Sequence, residues 1–139
     1  MVADIDASAT SSAWNDGAGF EPIGGVAGAT FNGSLDGDGH TISNLSLNRS
    51  GNSATGLIAQ LGAAGVVENL ILTDSPITGD NDVGSVAGTS AGLIRNVTVS
   101  GTVAGADRVG GVVGTVEAGG VVTASTTTVI ASGTQQIGG

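Results

Sequence analysis

Two aspartates and the only histidine of the chain stand at alternate positions in the stretch GSLDGDGHTISNLSL (33–47). They are Asp36, Asp38 and His40, and glycines separate them. Carboxylate oxygens at close spacing are the ligands of Ca²⁺ loops, and an aspartate with a histidine can act as an acid and a base. The stretch could therefore be a cation site, a catalytic site, or a turn in which His40 hydrogen-bonds the backbone.

The surrounding residues favour the turn. An EF-hand loop needs a glutamate at its twelfth position, and counting from Asp36 that position is Leu47. DGDGH occurs once, so it is not the nine-residue Ca²⁺ repeat, and no motif marks a serine, cysteine or lysine as a catalytic partner. We expect a structural His40, no catalytic residue and no cofactor, with Ca²⁺ at Asp36 and Asp38 as the alternative.

Composition limits the class of protein and its partners. The chain has 139 residues, 40% of them hydrophobic, with 26 glycines and no cysteine. Twelve acidic residues face three arginines, which gives a net charge of −9 and argues against nucleic acid or an anionic membrane as a partner.

No apolar stretch is long enough to span a membrane, and the N-terminus MVADIDAS lacks the features of a signal peptide. If the protein is exported, we expect its signal to lie outside this chain.

Two interleaved motifs repeat along the chain with nearly the same period. The first has an apolar marker residue followed two places later by asparagine or alanine. Its markers are Ile42, Val67, Ile94 and Val122. The second motif has a glycine at a fixed place, at Gly56, Gly84, Gly110 and Gly138. Both motifs recur about every 25 to 28 residues, and a period of this length indicates a repeat architecture.

The repeated segments alternate apolar and polar residues over four to eight positions and are bounded by Gly, Asn, Asp or Ser, which is typical of strands. Each repeat is too short for a crossover helix, so stacking is the way to bury its apolar faces. The sequence therefore predicts an all-β fold, a parallel β-solenoid of about four coils of 25–28 residues. At their shared place in the motif, Asn44, Asn69 and Asn96 are expected to form an inward-turning ladder of amides along the axis, with an exposed row that binds a sugar as the alternative.

The non-repeating start predicts an N-terminal lead-in and capping segment over 1–31, ahead of solenoid repeats over 32–139. It holds all three aromatic residues, Trp14, Phe20 and Phe31, which we expect to cover the first coil, because the strand edges at the end of a solenoid must be protected. The terminal IGG stops inside the second motif. We expect either part of a longer array or a subunit whose open end stacks.

These motifs resemble a known family. FNGSLDGDGHTISNLSL resembles the entry sequence of large bacterial surface proteins, and VGSVAGTSAGLIRNVTVSG and VGGVVGTVEAGGVV resemble the GLUG repeat of filamentous-haemagglutinin-like adhesins. The resemblance covers nearly the whole chain and departs from the pattern at Ala124, which replaces the asparagine. It implies a right-handed parallel β-helix outside the cell, on the bacterial surface, used as a stalk or as a binding surface for a host or neighbouring cell, with a glycan among the candidate ligands.

Other functions are open on the residues alone. A polysaccharide-acting enzyme would need clustered carboxylates and arginines, yet Arg49, Arg95 and Arg108 fall at different phases of the repeat. An ice-binding face would need Thr-x-Thr in every coil, and we find it only in STTT. We therefore expect an adhesive or structural module that is not an enzyme, with self-association of uncapped coils into fibres as the alternative.

Overall fold

The computed structural model describes residues 1–11, 14–25 and 28–138. Residues 12–13, 26–27 and 139, which belong to the predicted lead-in and repeat segments, lie outside the described part. The fold class predicted from the repeats is confirmed: the described chain is an all-β solenoid of about four stacked coils. Its helices there are two short 3-10 turns, Ser8–Ser11 and Trp14–Gly17, and no described helix is long and apolar enough to cross a membrane.

The strands follow the same order in each coil. A two-residue strand, β1 (Ile5–Asp6), precedes the coils. Coil 1 contains β2 (Ser34–Asp36), β3 (Thr41–Ser43), β4 (Leu47–Asn48) and β5 (Ile58–Leu61). Coil 2 contains β6 (Val66–Glu68), β7 (Ile71–Thr78), β8 (Asn81–Val83) and β9 (Ala87–Ser90). Coil 3 contains β10 (Leu93–Arg95), β11 (Thr98–Ala104), β12 (Asp107–Gly110) and β13 (Val113–Val116), and coil 4 contains β14 (Val121–Thr123), β15 (Thr126–Ser132) and β16 (Ile137–Gly138).

Equivalent strands of successive coils pair in parallel and form four sheets. We call them sheet A (β1, β3, β7, β11 and β15, with β4 also beside β7), sheet B (β2, β6, β10 and β14), sheet C (β8, β12 and β16) and sheet D (β5, β9 and β13). Side chains that alternate inward fill one continuous core of Leu, Ile, Val and Ala. Branched aliphatic side chains stack well in such columns because each lies over its equivalent about 4.8 Å away.

The register of coil 1 differs from the sequence alignment. Ile42 pairs with Leu72 and not with Val67. Val67 pairs instead with Leu35, which precedes the DGDGH stretch. The marker prediction is therefore wrong for its first step, while Val67, Ile94 and Val122 do lie in register.

The DGDGH stretch explains the shift. It is the corner between β2 and β3, so coil 1 already begins at β2. Four residues, 37–40, turn this corner, whereas two residues, 69–70, turn it in coil 2. Gly37 fits because its backbone passes so close to coil 2 that an added Cβ would lie 2.3 Å from the Asn69 carbonyl oxygen. Beyond the enlarged corner, Ile42 and Asn44 keep the spacing of the marker and its asparagine, which is why this segment imitates one repeat.

Non-glycine residues with positive φ line up at the corners. One set of them stands directly before the column in which Thr55, Val83, Val109 and Ile137 are paired. Its members have φ between 36° and 58° and are Ala54, Asp82, Arg108 and Gln136. Asn69, Asn96 and Ala124 form a second such column, with φ of 53°, 50° and 47°. Asparagine and aspartate tolerate this left-handed conformation best, which accounts for their recurrence at the turns of the repeat.

The lead-in follows coil 1 with little regular pairing. β1 pairs with β3, and further on Ile23 and Phe31 make single parallel bridges to Ile58 and Leu61 of β5. Phe20 and Phe31 are partly buried against the core. Trp14 stands on a 3-10 turn. Its side chain is 48% exposed and lines a cavity beside Leu35 and Ile42 of coil 1, so it covers the coil with only part of its surface.

Candidate functional site

Asp36, Asn69 and Asn96 form a ladder of hydrogen bonds at the corner between sheets B and A. Asn96 Nδ2 donates to Asn69 Oδ1 over 2.7 Å, and Asn69 Nδ2 donates to Asp36 Oδ1 over 3.0 Å. The amide of Asn69, and then the backbone N–H of Asp38, hold the pKa of the Asp36 carboxyl below its usual value. Asp36 is thus the first rung of this ladder.

Asn44 is not part of that ladder. The backbone N–H of Asn44 donates to the Thr73 carbonyl oxygen, which places Asn44 beside Asp74, and its side chain donates to Asp6 Oδ1 over 3.2 Å. The ladder residues are also exposed or half-exposed, so the prediction of one inward-turning column of Asn44, Asn69 and Asn96 is wrong on both points. The cause is the enlarged DGDGH corner, which moves Asn44 to the next corner of the coil.

His40 and Asp38 do not join Asp36 around a common point. His40 Nδ1 lies 3.1 Å from Asp4 Oδ1, and Asp4 Oδ1 also accepts the backbone N–H of Thr41 over 2.9 Å. The Thr41 N–H, and then His40, hold the pKa of the Asp4 carboxyl below its usual value. The pairing attaches the lead-in to coil 1. Among residues 1–11, 14–25 and 28–138, no three His, Asp or Glu side chains gather as metal ligands would.

The predicted glycines of the second motif form one column. Val83 pairs with Thr55 and with Val109, and Gly110 pairs with Gly138. Gly56 and Gly84 therefore lie in line with Gly110. A Cβ added to Gly84 would lie 2.5 Å from the Ala87 carbonyl oxygen, and one added to Gly110 would lie 2.0 Å from that of Val113. Side chains are excluded there because the backbone folds back on itself.

The three arginines bind carboxylates of the preceding coil or of the lead-in, which the sequence reasoning did not predict. Arg108 holds both oxygens of Asp82, with Nε–Oδ1 and Nη2–Oδ2 distances of 2.7 and 2.9 Å. Arg95 Nε lies 2.6 Å from Glu68 Oε2, and Arg49 Nη2 lies 2.7 Å from Glu21 Oε2. The register predicted for coils 2 and 3 already places Arg95 beside Glu68 in sheet B and Arg108 beside Asp82 in sheet C, so the aligned motifs themselves contained the signal for the first two pairs.

The electrostatics around Asp82 follow from these contacts. Arg108, and then the hydroxyl of Thr115, hold the pKa of the Asp82 carboxyl below its usual value, and Asp82 in turn raises the pKa of Arg108. Arg108 also binds Asp107 through Nη1. The guanidinium of Arg108 therefore lies between the carboxylates of Asp82 and Asp107.

Hydroxyl side chains recur on the outer face of sheet A. One column contains, from coil 1 to coil 4, the residues Thr41, Ile71, Thr98 and Thr126. Two places further along the strands, Ser43 of coil 1 pairs with Thr73 of coil 2, and Ser100 of coil 3 pairs with Thr128 of coil 4. Thr-x-Thr itself stands only in coil 4, as the sequence indicated. Each coil nevertheless contributes two outward residues, one place apart, of which at least one carries a hydroxyl group. The shifted alignment of coil 1 concealed this looser recurrence. We call these eight residues the hydroxyl face.

The chain is similar to segments of two known proteins. One is "Halomucin" from Haloquadratum walsbyi, 58% identical over 135 residues, which are 95% of this chain and 2% of that protein. The other is a "Putative Gly-rich membrane protein" from Evansella cellulosilytica, 37% identical over 102 residues, 71% of this chain and 12% of that protein. No family model and no solved structure matches the chain. The described β-solenoid therefore corresponds to a small part of each of two much longer proteins.

Proposed function

We propose that this chain is a structural repeat module of a large exported surface protein, which serves as a stalk or as a binding surface and has no chemistry of its own. The observation that carries the proposal is the match of 95% of the chain to 2% of Halomucin. The names of the two relatives, "Halomucin" and "Putative Gly-rich membrane protein", are both compatible with a location at the cell surface. The GLUG-type adhesin is the finer form of this proposal.

The contacts between coils support the role of a stalk. The ladder of Asp36, Asn69 and Asn96 links three coils in series. The pairs Arg95–Glu68 and Arg108–Asp82 link coils 2 and 3 from two other positions around the axis. Ionisable side chains that bridge coils in this way resist separation of the coils along the axis. These side chains therefore hold the coils together.

The hydroxyl face is the surface that we assign to binding. Thr98, Thr126 and Thr128 are exposed, and within coils 1 to 4 none of its eight residues is charged. A row of short hydroxyls can exchange hydrogen bonds with a sugar chain, and many weak contacts repeated along an array add up to useful affinity. The ligand that we propose is a glycan on a host or neighbouring cell.

Two experiments test these assignments. Antibody raised against the chain should label intact cells of the source organism, and protease added outside should remove the label; label that appears only after permeabilisation would refute the surface location. For binding, fluorescent chain should adhere to cells or to a glycan array. The double substitution Thr98→Glu and Thr126→Glu should reduce adhesion at least tenfold. Thr123→Glu, at an exposed position on sheet B, should leave adhesion intact. Equal loss in both would show that the hydroxyl face is not the binding surface.

A further inference from the structure

A bulge in sheet A turns one carboxylate of coil 2 towards the surface. β7 contains one residue more than β11 between their two paired segments, so Thr73 and Asp74 lie opposite Ser100 alone. Asp74 has a φ of 50°, and its backbone N–H donates to Ser100 Oγ over 3.3 Å. A bulge re-aims a side chain, and Asp74 is exposed. The bulge therefore places this carboxylate on the outer side of sheet A, beside the hydroxyl face.

The carboxylate of Asp74 differs from those that hold the coils together. Asp36 accepts from Asn69, and Asp82 accepts from Arg108. Within the described part of the chain, no hydrogen bond or ion pair engages the carboxylate of Asp74, since its bond to Ser100 comes from the backbone N–H. An ionised carboxylate can only accept hydrogen bonds. A ligand at Asp74 must therefore bring donors.

Asp74 lies at the middle of a groove on the side of the solenoid. Two adjoining depressions, each of about 320 Å³, share Asp74 and Pro76. We call the two together the Asp74 groove. Its walls come from the lead-in and from coils 1, 2 and 3, so the groove runs across stacked coils and is not an end of the solenoid. Besides the two shared residues, its walls contain Ser8, Ser11, Asn44, Gly101 and Thr102.

The walls of the Asp74 groove combine polar groups with one apolar surface. Ser8 and Thr102 are exposed, and their hydroxyl groups can both donate and accept. Asn44 uses its Nδ2 to bind Asp6, which leaves its Oδ1 as a further acceptor. Pro76 is exposed within β7, where a proline is unusual because it cannot donate to the ladder. Its rigid ring supplies an apolar surface beside the carboxylate.

Charge limits the class of ligand that this groove can take. The net charge of −9 and the carboxylate of Asp74 itself repel an anion. Ca²⁺ takes six to eight oxygen ligands, and among the described residues no three acidic or histidine side chains gather around one point. A sugar ring fits the walls better, because its hydroxyl groups donate and accept while its C–H groups can pack on Pro76. The ligand class is therefore an uncharged glycan.

We propose that the Asp74 groove binds one ring of a neutral glycan, and that Asp74 accepts hydrogen bonds from two adjacent hydroxyl groups of that ring. Hydrogen bonds to an ionised group are stronger than those between neutral groups. Asp74 therefore selects the ring, while the hydroxyl face, which it adjoins at Thr73 and Ser100, adds weaker contacts along the glycan. This inference rests on the proposed binding of a glycan and deepens it, since it names the sugar class and the residue that selects it.

Binding of the intact chain to an array of neutral and acidic glycans tests the proposal. We expect neutral glycans to bind, and their carboxylated or sulfated counterparts to bind more weakly. Asp74→Asn keeps the size of the side chain and its tolerance of positive φ, and it should weaken binding about tenfold or more. Asp38→Asn is the matched control, since Asp38 is also exposed, has a φ of 51° and lines neither depression. It should bind as the unmodified chain does, and circular dichroism checks that both variants are folded.

The outcomes separate this inference from the proposed function. If the double substitution Thr98→Glu and Thr126→Glu abolishes binding but Asp74→Asn does not, the hydroxyl face binds the glycan without the Asp74 groove, and only the inference is overturned. Equal loss in Asp74→Asn and Asp38→Asn would show an effect of net charge and would also overturn it. Loss of binding in EDTA would reveal a bridging cation in place of the direct contact. If the unmodified chain binds no glycan, the proposed glycan binding is refuted together with the inference.

Discussion

Asn96 Nδ2 donates a hydrogen bond of 2.7 Å to Asn69 Oδ1, and so joins the same corner of coils 3 and 2. Asn69 passes the link on to Asp36 in coil 1, while its own backbone has a φ of 53°. The residue therefore serves two purposes, because it adopts the left-handed conformation and carries the middle rung of the ladder.

Replacement of Asn69 separates these purposes. Asn69→Gly keeps the left-handed backbone and removes both side-chain bonds, so we expect it to lower the free energy of unfolding by about 1–2 kcal/mol. Asn44→Gly is the matched control, since Asn44 has a φ of 59° and its side chain donates to Asp6 of the lead-in and not along the ladder. It should cost less than half as much in urea denaturation. Equal losses would mean that the ladder adds nothing beyond an ordinary surface bond.

Gly84 and Gly138 occupy one column but have different surroundings. A Cβ on Gly84 would meet the Ala87 carbonyl oxygen at 2.5 Å and the Gly114 nitrogen at 2.7 Å, whereas one on Gly138 meets nothing within 4 Å. We expect Gly84→Ala to destabilise by about 1–3 kcal/mol, as overpacked interiors do, and Gly138→Ala to have almost no effect. Thermal melting of both variants checks this, and an unchanged melting temperature for Gly84→Ala would contradict the close approach.

Ser90 is fully buried in the column between Leu61 and Val116, and within the described residues its hydroxyl has no hydrogen-bond partner. Ser90→Ala removes that oxygen and should raise the free energy of unfolding by about 1 kcal/mol. Ser75 is the control, since it is equally buried but donates to the Thr73 carbonyl oxygen over 2.9 Å. Ser75→Ala should be destabilising. A loss of stability in Ser90→Ala would show that the hydroxyl is satisfied by water.

The sequence was sufficient to predict the fold because stacking repeats the same inward positions, as at Val67, Ile94 and Val122. It was insufficient for coil 1, since the two extra residues in the DGDGH corner create a second sequence that fits the motif. The errors at the site follow from that shift: the place of Asn44, the role of Asp36 in the ladder and the overlooked recurrence of hydroxyls in sheet A. Two arginine pairs, Arg95–Glu68 and Arg108–Asp82, stand at matching positions of the correctly aligned motifs and were within reach of the sequence. Arg49–Glu21 was not, because it joins coil 1 to the non-repeating lead-in.

Asp82 makes the stability of coils 2 and 3 dependent on pH. Arg108 holds the pKa of the Asp82 carboxyl below its usual value, so the stabilisation is present above the unfolded-state pKa and is lost as the pH falls through the folded-state pKa. Asp82→Asn should cost about 1 kcal/mol at pH 7, a modest value because Arg108 is 37% exposed and screened by solvent. The difference from the unmodified chain should shrink as the pH falls below the unfolded-state pKa of the carboxyl. Asp80→Asn removes a carboxylate that accepts from Asn81 and is the matched control for the loss of one negative charge. An equal loss of stability at pH 7 in both variants would contradict a specific contribution of the Arg108–Asp82 pair.

The net charge of −9 makes stability depend on salt. Raising NaCl from 0.1 to 1 M shortens the screening length from about 10 to about 3 Å, and because uncompensated carboxylates outnumber ion pairs we expect the melting temperature to rise.

The same measurement of the melting temperature tests whether Ca²⁺ binds at Asp36 and Asp38. Asp36 Oδ1 already accepts from Asn69 and from the Asp38 N–H, so at equal ionic strength we expect CaCl₂ to act as NaCl does and calorimetry to show no saturable heat. A larger rise with Ca²⁺ that Asp38→Asn abolishes would establish a calcium site at this corner instead.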